Sequence, residues 1–371
     1  MAFPGTAQIL LSPAELSFLH SSLSLTPPIR PDLRSPTQYR PLVAETDTLP
    51  STNGSARVCF SDGTEAIVGV KAEVEKSAKK WSRAGQNDEV TASNSDEEDA
   101  KIKPPRSIAA GRQGSGADIW LELSIEVPGF RDDDALPVFL SAMLTEALVA
   151  SGDLRDKLWI NARWHWKLYI DILLLSPPLS YPLPLLSLTV HLALLSTALP
   201  RLTSDPGDDP LFDDDWDAAV PLYPRASTTG NHLARPPVTL LVMTVGSNII
   251  FDPSKEELAV AECVLAVSFA PADVAGSLKL LAIRTIDPPS RLTPPGIPDS
   301  ANPATATGGA AVGGQGKTAE QDVLTEREKG TVWGPPRGGM KRGLLTRIVK
   351  AVLERGGVGE EVLDGLAGVE T

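Results

Sequence analysis

The sequence predicts a mixed α/β (α+β) protein, and three observations predict it. Residues 166–175 are a nearly continuous apolar run of leucine, isoleucine and aromatic residues, the pattern of a strand buried on both faces. Beyond four prolines in 176–184, Leu185, Leu188, Leu192 and Leu195 recur at helical spacing, with Pro184 suited to a first helical turn. Further runs at 56–60, 65–74, 119–127, 238–252, 262–269 and 278–286 read as strands, and the last three, with 238–252 divided by a Gly246-Ser247-Asn248 turn, suffice for a second sheet of about four.

Taken in order, the chain opens with Ser12-Pro13-Ala14-Glu15, a capping box with proline at the first helical position, so a short helix starts there. Arg30, Arg34 and Arg40 follow in a Pro-punctuated stretch, read either as a solvated loop or as an RNA contact. Residues 39–47 alternate weakly, as an edge strand does, and Asp62-Gly63 turns one strand back on the next. After the strand at 119–127, Asp134 is placed to cap a helix. Its buried face reads Leu136, Phe139, Leu140, Met143, Leu144, Ala147 and Leu148, and Gly152 stops it. The last element expected is a helix over 340–355, with Leu344, Leu345, Ile348, Val349, Val352 and Leu353 as its apolar stripe.

Between these blocks the composition changes. Residues 76–117 are highly charged and poor in apolar side chains, so burial cannot offset the entropy of ordering them, and a disordered insertion is expected. Residues 202–236 form a second excursion, with seven Asp between Asp205 and Asp217 but without the glycine and closing Glu of a calcium loop. Residues 291–331 are a Pro, Ala and Gly linker. G-R-Q-G-S-G at 111–116 and A-V-G-G-Q-G-K-T at 311–318 imitate nucleotide-binding loops, but neither has the preceding strand and following helix that such loops need.

Composition excludes several classes. A net charge of −13 repels polyanions, so any nucleic-acid role rests on a local basic patch or a partner. Two cysteines, Cys59 and Cys263, exclude a disulfide framework and a multi-cysteine zinc site, and point to a reducing compartment. No metal site or cofactor is expected. Residues 172–200 contain no Asp, Glu, Lys or Arg, which admits a membrane span. The prolines inside the run, the short remaining helix with His191, and the missing flanking basic cluster favour a buried core instead. Residues 1–12 lack the basic stretch of a signal peptide, so a cytosolic or nuclear protein is expected.

The chain also resembles a known family. N-G-S-A-R-V, the Asp62-Gly63 turn and I-V-G-V-K-A-E-V are similar to the first hairpin of the ribonuclease PH family, in its exosome ring-subunit branch. I-R-P-D-L-R with Y-R-P resembles that family's N-terminal segment, with Leu33 in place of the usual glycine. W-K-L-Y-I-D-I-L-L-L, the S-T-A-L-P helix end and F-D-P-S-K-E-E-L match as well, so that resemblance covers 11–75, 119–201 and 237–286. It implies a ribonuclease PH fold of two similar βαβ-type halves, ribosomal protein S5 domain 2-like. The boundaries would be 1–38 for the N-terminal helix and segment, 39–201 and 237–290 for the halves, and 332–371 for the C-terminal helix.

Activity in that family is phosphate-driven removal of nucleotides from an RNA 3′ end. The resemblance implies arginines on the first-half helix, a Gly-rich loop with an arginine after the central strand, and paired carboxylates in the second half. Here the helix over 136–148 has no arginine, the loop 176–184 has neither glycine, arginine nor acid, and Cys263 stands where an acid is expected, beside Glu262. Cys263 by itself reads as a buried strand cysteine. His20, His165, His191 and His232 are scattered, so no catalytic triad or metal constellation is expected.

The resemblance therefore implies a catalytically silent ring subunit, with an active phosphorolytic 3′→5′ exoribonuclease as the competing reading. Implied partners are other ribonuclease PH-like ring subunits, cap subunits, an associated 3′→5′ exoribonuclease and single-stranded RNA in the ring channel, with no membrane. Implied locations are nucleus, nucleolus and cytoplasm. Arg131 matches an arginine that faces the channel in the family, and Arg106 and Arg112 are candidates to reach the same region. For Arg131, a solvated arginine beside Asp132, Asp133 and Asp134 is the other reading.

Overall fold

A computed structural model describes residues 11–77, 118–161, 163–205, 208–224, 234–272, 277–286, 333–334, 336 and 339–369. Helix α1 (Pro13–Ser24) starts on the expected box: Ser12 Oγ accepts from the Glu15 amide at 3.3 Å, and Glu15 Oε2 accepts from the Ser12 amide at 2.7 Å. Strands β1 (Leu42–Thr46), β2 (Gly54–Phe60), β3 (Glu65–Lys76), β4 (Leu121–Glu126) and β5 (Trp164–Leu174) build one sheet, ordered β1-β2-β3-β5-β4. Its pairs are antiparallel except β4 with β5. A parallel pair needs a crossover, and α2 (Ala135–Ala150) with α3 (Asp153–Lys157) supplies it.

The second sheet is antiparallel, ordered β11-β10-β8-β9, from β8 (Val238–Val245), β9 (Asn248–Phe251), β10 (Cys263–Pro271) and β11 (Leu278–Ile286). Between the sheets lies α4 (Leu183–Ser196), packed on β2 and β3 on one side and β8 on the other. Every residue from Leu183 to Leu194 is buried, which explains a helix apolar all round. Its hydroxyls are used internally: Ser187 Oγ accepts from the Thr239 amide at 2.7 Å, and Thr189 donates to the Leu185 carbonyl at 2.8 Å. Each leucine buried here contributes about 1.5–3 kcal/mol. Strand β2 crosses the end of α4 so closely that a Cβ on Gly54 would stand 2.5 Å from Thr197 Cα. Among the described residues no helix is long and apolar enough to cross a membrane.

Several expectations are corrected. Phe139 is 40% exposed, because it falls just outside the arc of α2 that holds Leu136, Leu140, Met143, Leu144, Ala147 and Leu148. The acidic excursion is ordered over much of its length. Short strands β6 (Ala198–Leu199) and β7 (Val220–Pro221) pair, Phe212 meets Trp166 at 5.0 Å between ring centroids, and Leu222 and Tyr223 are buried. Three apolar side chains thus tie an otherwise solvated acidic segment to the core. The helix at the expected C-terminal position, α6 (Arg342–Leu353), is not the last element. Gly357 caps a further helix, α7 (Val358–Ala367), which buries Val358, Leu363 and Leu366. Short α5 (Lys255–Leu258) follows β9 and opens on a second capping box, Ser254 with Glu257. The insertion at 78–117 and the linker at 291–331, with both nucleotide-loop imitations, lie outside the described residues.

Candidate functional site

Because β4 and β5 run parallel, with Glu126 opposite Leu173, the segments that follow them leave the same end of the sheet. One is the turn 127–134 that carries Arg131; the other is the Pro-rich loop 176–182 that leads into α4. This end is where the resemblance expects a phosphate cradle. The loop is pinned instead: Ser176 Oγ donates to the Gly63 carbonyl at 3.3 Å and accepts from the Glu65 amide at 3.1 Å. Helix α4 starts at a Pro182 cap with no side-chain capping bond, and Pro184 lies in its first turn. Prolines at both places remove N–H groups that an anion at a helix start would use. Tyr181 is held in the same loop, and burial pushes its hydroxyl above the ordinary tyrosine value.

A cation does approach the loop, but it is already saturated. Arg40 donates through Nη1 to Ser180 Oγ at 3.1 Å and to Asp62, and through Nη2 to Asp252 Oδ1 at 2.7 Å. Its guanidinium also covers the Phe60 ring at 4.7 Å. Asp252 takes a second arginine, Arg34 Nη1, at 2.8 Å. One step deeper, Arg30 grips Glu257 with both Nε and Nη2 at 2.8 Å and donates to the Phe251 and Asp252 carbonyls. Arg30, Asp252 and Glu257 are all buried. Burial alone would raise the Asp252 carboxyl, but hydrogen bonds and charge from Arg40 and Arg34 hold it below its ordinary value.

So Arg30, Arg34 and Arg40 are neither a solvated loop nor an open RNA contact. They fasten the N-terminal segment to the F-D-P-S-K-E-E-L stretch of the second half, which explains why both segments carry their charges. Sequence reading missed this because the partners lie more than two hundred positions apart.

Arg131 has the opposite environment. Gly129, at φ +86°, turns the chain after β4, and Phe130 donates its amide to the Val127 carbonyl at 3.1 Å. Asp134 stands at the α2 cap without a capping bond there; its Oδ2 accepts from the Arg131 amide at 2.8 Å. The Arg131 side chain is exposed and forms no ion pair with any described residue, its three acidic neighbours included. Arg106 and Arg112 lie outside the described residues. An open cleft of about 800 Å³ runs between β4 and α2, and Glu122, Asp132 and Glu146 are the charged residues that line it. Among the described residues that line it none is a cation, although Lys167 pairs with Glu122 at 3.1 Å and Arg284 with Glu146 at 2.8 Å.

The remaining candidates are structural in their surroundings. Cys263 is buried at the start of β10, while the neighbouring Glu262 carboxylate lies 3.5 Å from His20 Nε2. His165 stacks on Trp120 at 4.3 Å. His191, inside α4, shares a hydrogen bond with the Pro236 carbonyl at 2.9 Å, and burial drives its ring down to about 4. Among the described residues no cluster of His, Cys, Asp and Glu could hold a metal ion.

Comparison with known proteins places these features. No protein-family model matches the chain. It is 30% identical over 274 residues to the exosome complex component RRP42 of Saccharomyces cerevisiae, covering 74% of this chain and 86% of that protein. The chain belongs to the Rrp42 family. A second member, exosome complex component rrp42 of Schizosaccharomyces pombe, is 30% identical over 273 residues, 69% of this chain and 77% of that one. Among solved structures, an archaeal exosome core aligns at TM-score 0.46 and 19% identity, over 73% of this chain and 84% of that one. The two-sheet arrangement around α4 is thus the α/β fold of an Rrp42-family chain.

Proposed function

We propose that this Rrp42-family chain is a catalytically silent ring subunit of the RNA exosome, a 3′→5′ exoribonuclease complex that processes ribosomal RNA precursors and degrades other RNAs. Family membership supports the assembly. The observation that carries the silence is the loop after β5: its prolines leave α4 without a full set of end donors, and Arg40 is consumed by Asp252 and Asp62. Acid-lined α2 adds no arginine from the opposite side. A phosphorolytic step needs several cationic donors converging on the transferring phosphate, and among the described residues the loop after β5 and helix α2 present no free one, Arg131 standing apart on the turn after β4.

The chain's part is then to complete the ring and to help line its channel. Partners in this reading are the other ribonuclease PH-like ring subunits, the cap subunits and the associated exoribonuclease, in nucleus, nucleolus and cytoplasm. Arg131, exposed and unpaired among the described residues, suits a phosphate contact with RNA in the channel. Labelled single-stranded RNA incubated with the purified chain, phosphate and Mg²⁺ should stay intact, as should RNA given to the ring without its associated exoribonuclease. Processive 3′ shortening by the chain alone would establish the phosphorolytic alternative.

A further inference from the structure

Leu33 sits at φ +61°, in the left-handed region where a Cβ crowds the following carbonyl. Among the described residues the other non-glycine positions at positive φ are Asp47 and Asp252, whose short polar side chains tolerate it. A leucine has no such compensation. Its side chain is 84% exposed, so burial within this chain does not offset the strain either.

The backbone around it is held firmly. Arg30 and Arg34, three residues before and one after, are fixed to Glu257 and Asp252, and the Leu33 amide donates to the Arg30 carbonyl at 3.1 Å. Two more apolar side chains, Leu25 and Ile29, are 50% and 53% exposed in the same segment. Strain maintained by a rigid surround at a surface position points to use rather than to packing. Glycine, which the resemblance expects here, would take this backbone freely; leucine adds an apolar knob and nothing else.

We infer that Leu33 is an anchor that inserts into an apolar pocket on a neighbouring ring subunit, with the arginine clamp holding it in position. This rests on the ring reading above. RNA is the poorer occupant, because both flanking guanidiniums turn inward to carboxylates and the partly exposed charge beside Leu33 is Asp32. A preorganised apolar anchor binds without losing loop entropy, which is what a fixed Leu33 provides.

Leu33→Asn and Leu33→Gly test it, with Leu33→Met as the apolar control. Each variant is coexpressed with the neighbouring ring subunits, and the free chains are compared by thermal melting and by titration against those subunits. Asn and Gly should melt at or above the wild type, since they relieve the backbone, yet bind the neighbours about tenfold or more weakly. Met should bind within about threefold of wild type. Wild-type affinity in Leu33→Asn and Leu33→Gly would overturn the anchor while leaving the ring reading intact. A lower melting midpoint in Leu33→Gly would overturn the strain argument and the proposal with it. Failure of the wild type itself to bind any ring subunit would sink the ring reading, and the anchor too.

Discussion

Arg40 and Arg131 are the same residue type near the same end of the same sheet, and they do opposite things. Arg40 is almost wholly enclosed, with every polar group it meets supplied by this chain. Arg131 reaches solvent past three aspartates without pairing to any of them. An arginine's availability is therefore set by whether carboxylates from distant segments reach it, not by local charge. Replacing a buried ion pair by apolar groups can be nearly neutral, but removing one partner leaves an uncompensated charge in low dielectric. The enclosed arginines should thus be unforgiving and the exposed one indifferent to folding.

The largest effect should come from Asp252→Ala, which takes from Arg34 and Arg40 the buried carboxylate they share and leaves them only the more exposed Asp32 and Asp62. Denaturant unfolding should show a loss of about 3–5 kcal/mol, whereas Arg131→Ala should stay within about 0.5 kcal/mol. Equal losses would break the contrast.

A buried group kept neutral makes the next test. His191 has an ordinary value near 6.5 and lies at about 4 in the folded chain, first because burial disfavours its charged form. Between those values the unfolded chain binds a proton that the folded chain does not. Stability is therefore complete above pH 6.5 and declines as pH falls toward 4, by roughly 3 kcal/mol. Asp252 acts in the other range: its lowered carboxyl contributes stability above its ordinary value near 3.8, and loses it below. Urea midpoints at pH 7.5 and 4.5 should converge between wild type and His191→Leu. A constant gap between them would show that the ring is not the titrating group.

The smallest effect concerns RNA. In the assembled ring, Arg131→Gln should leave assembly unchanged and lower the salt slope of RNA binding by about one counterion. An unchanged slope would remove Arg131 from the channel lining and make it as inert toward RNA as Arg40.

How much of this was legible beforehand depended on the range of the interaction. Capping at Ser12, the Gly152 helix stop and the run of β11 are local, and each was readable from adjacent residues. Phe139 was misjudged because the width of the buried arc on α2 depends on what packs against it. Helix α7 was missed because three buried apolar residues in ten give little signal without the sheet and helix they dock on.

The sequence by itself determined the alternation of strands and helices, the absence of a donor-rich loop after β5 and the preference for a buried core over a membrane span at α4. Those follow from proline chemistry and hydrophobic period, which act over a few residues. Only the tertiary structure decided which arginines are spent and which are free. That choice depends on carboxylates brought within hydrogen-bond distance from the far half of the chain, where burial makes pairing obligatory. Leu33 shows the same division: its identity was visible in the sequence, but the left-handed backbone that makes a leucine there costly appears only once both flanks are clamped.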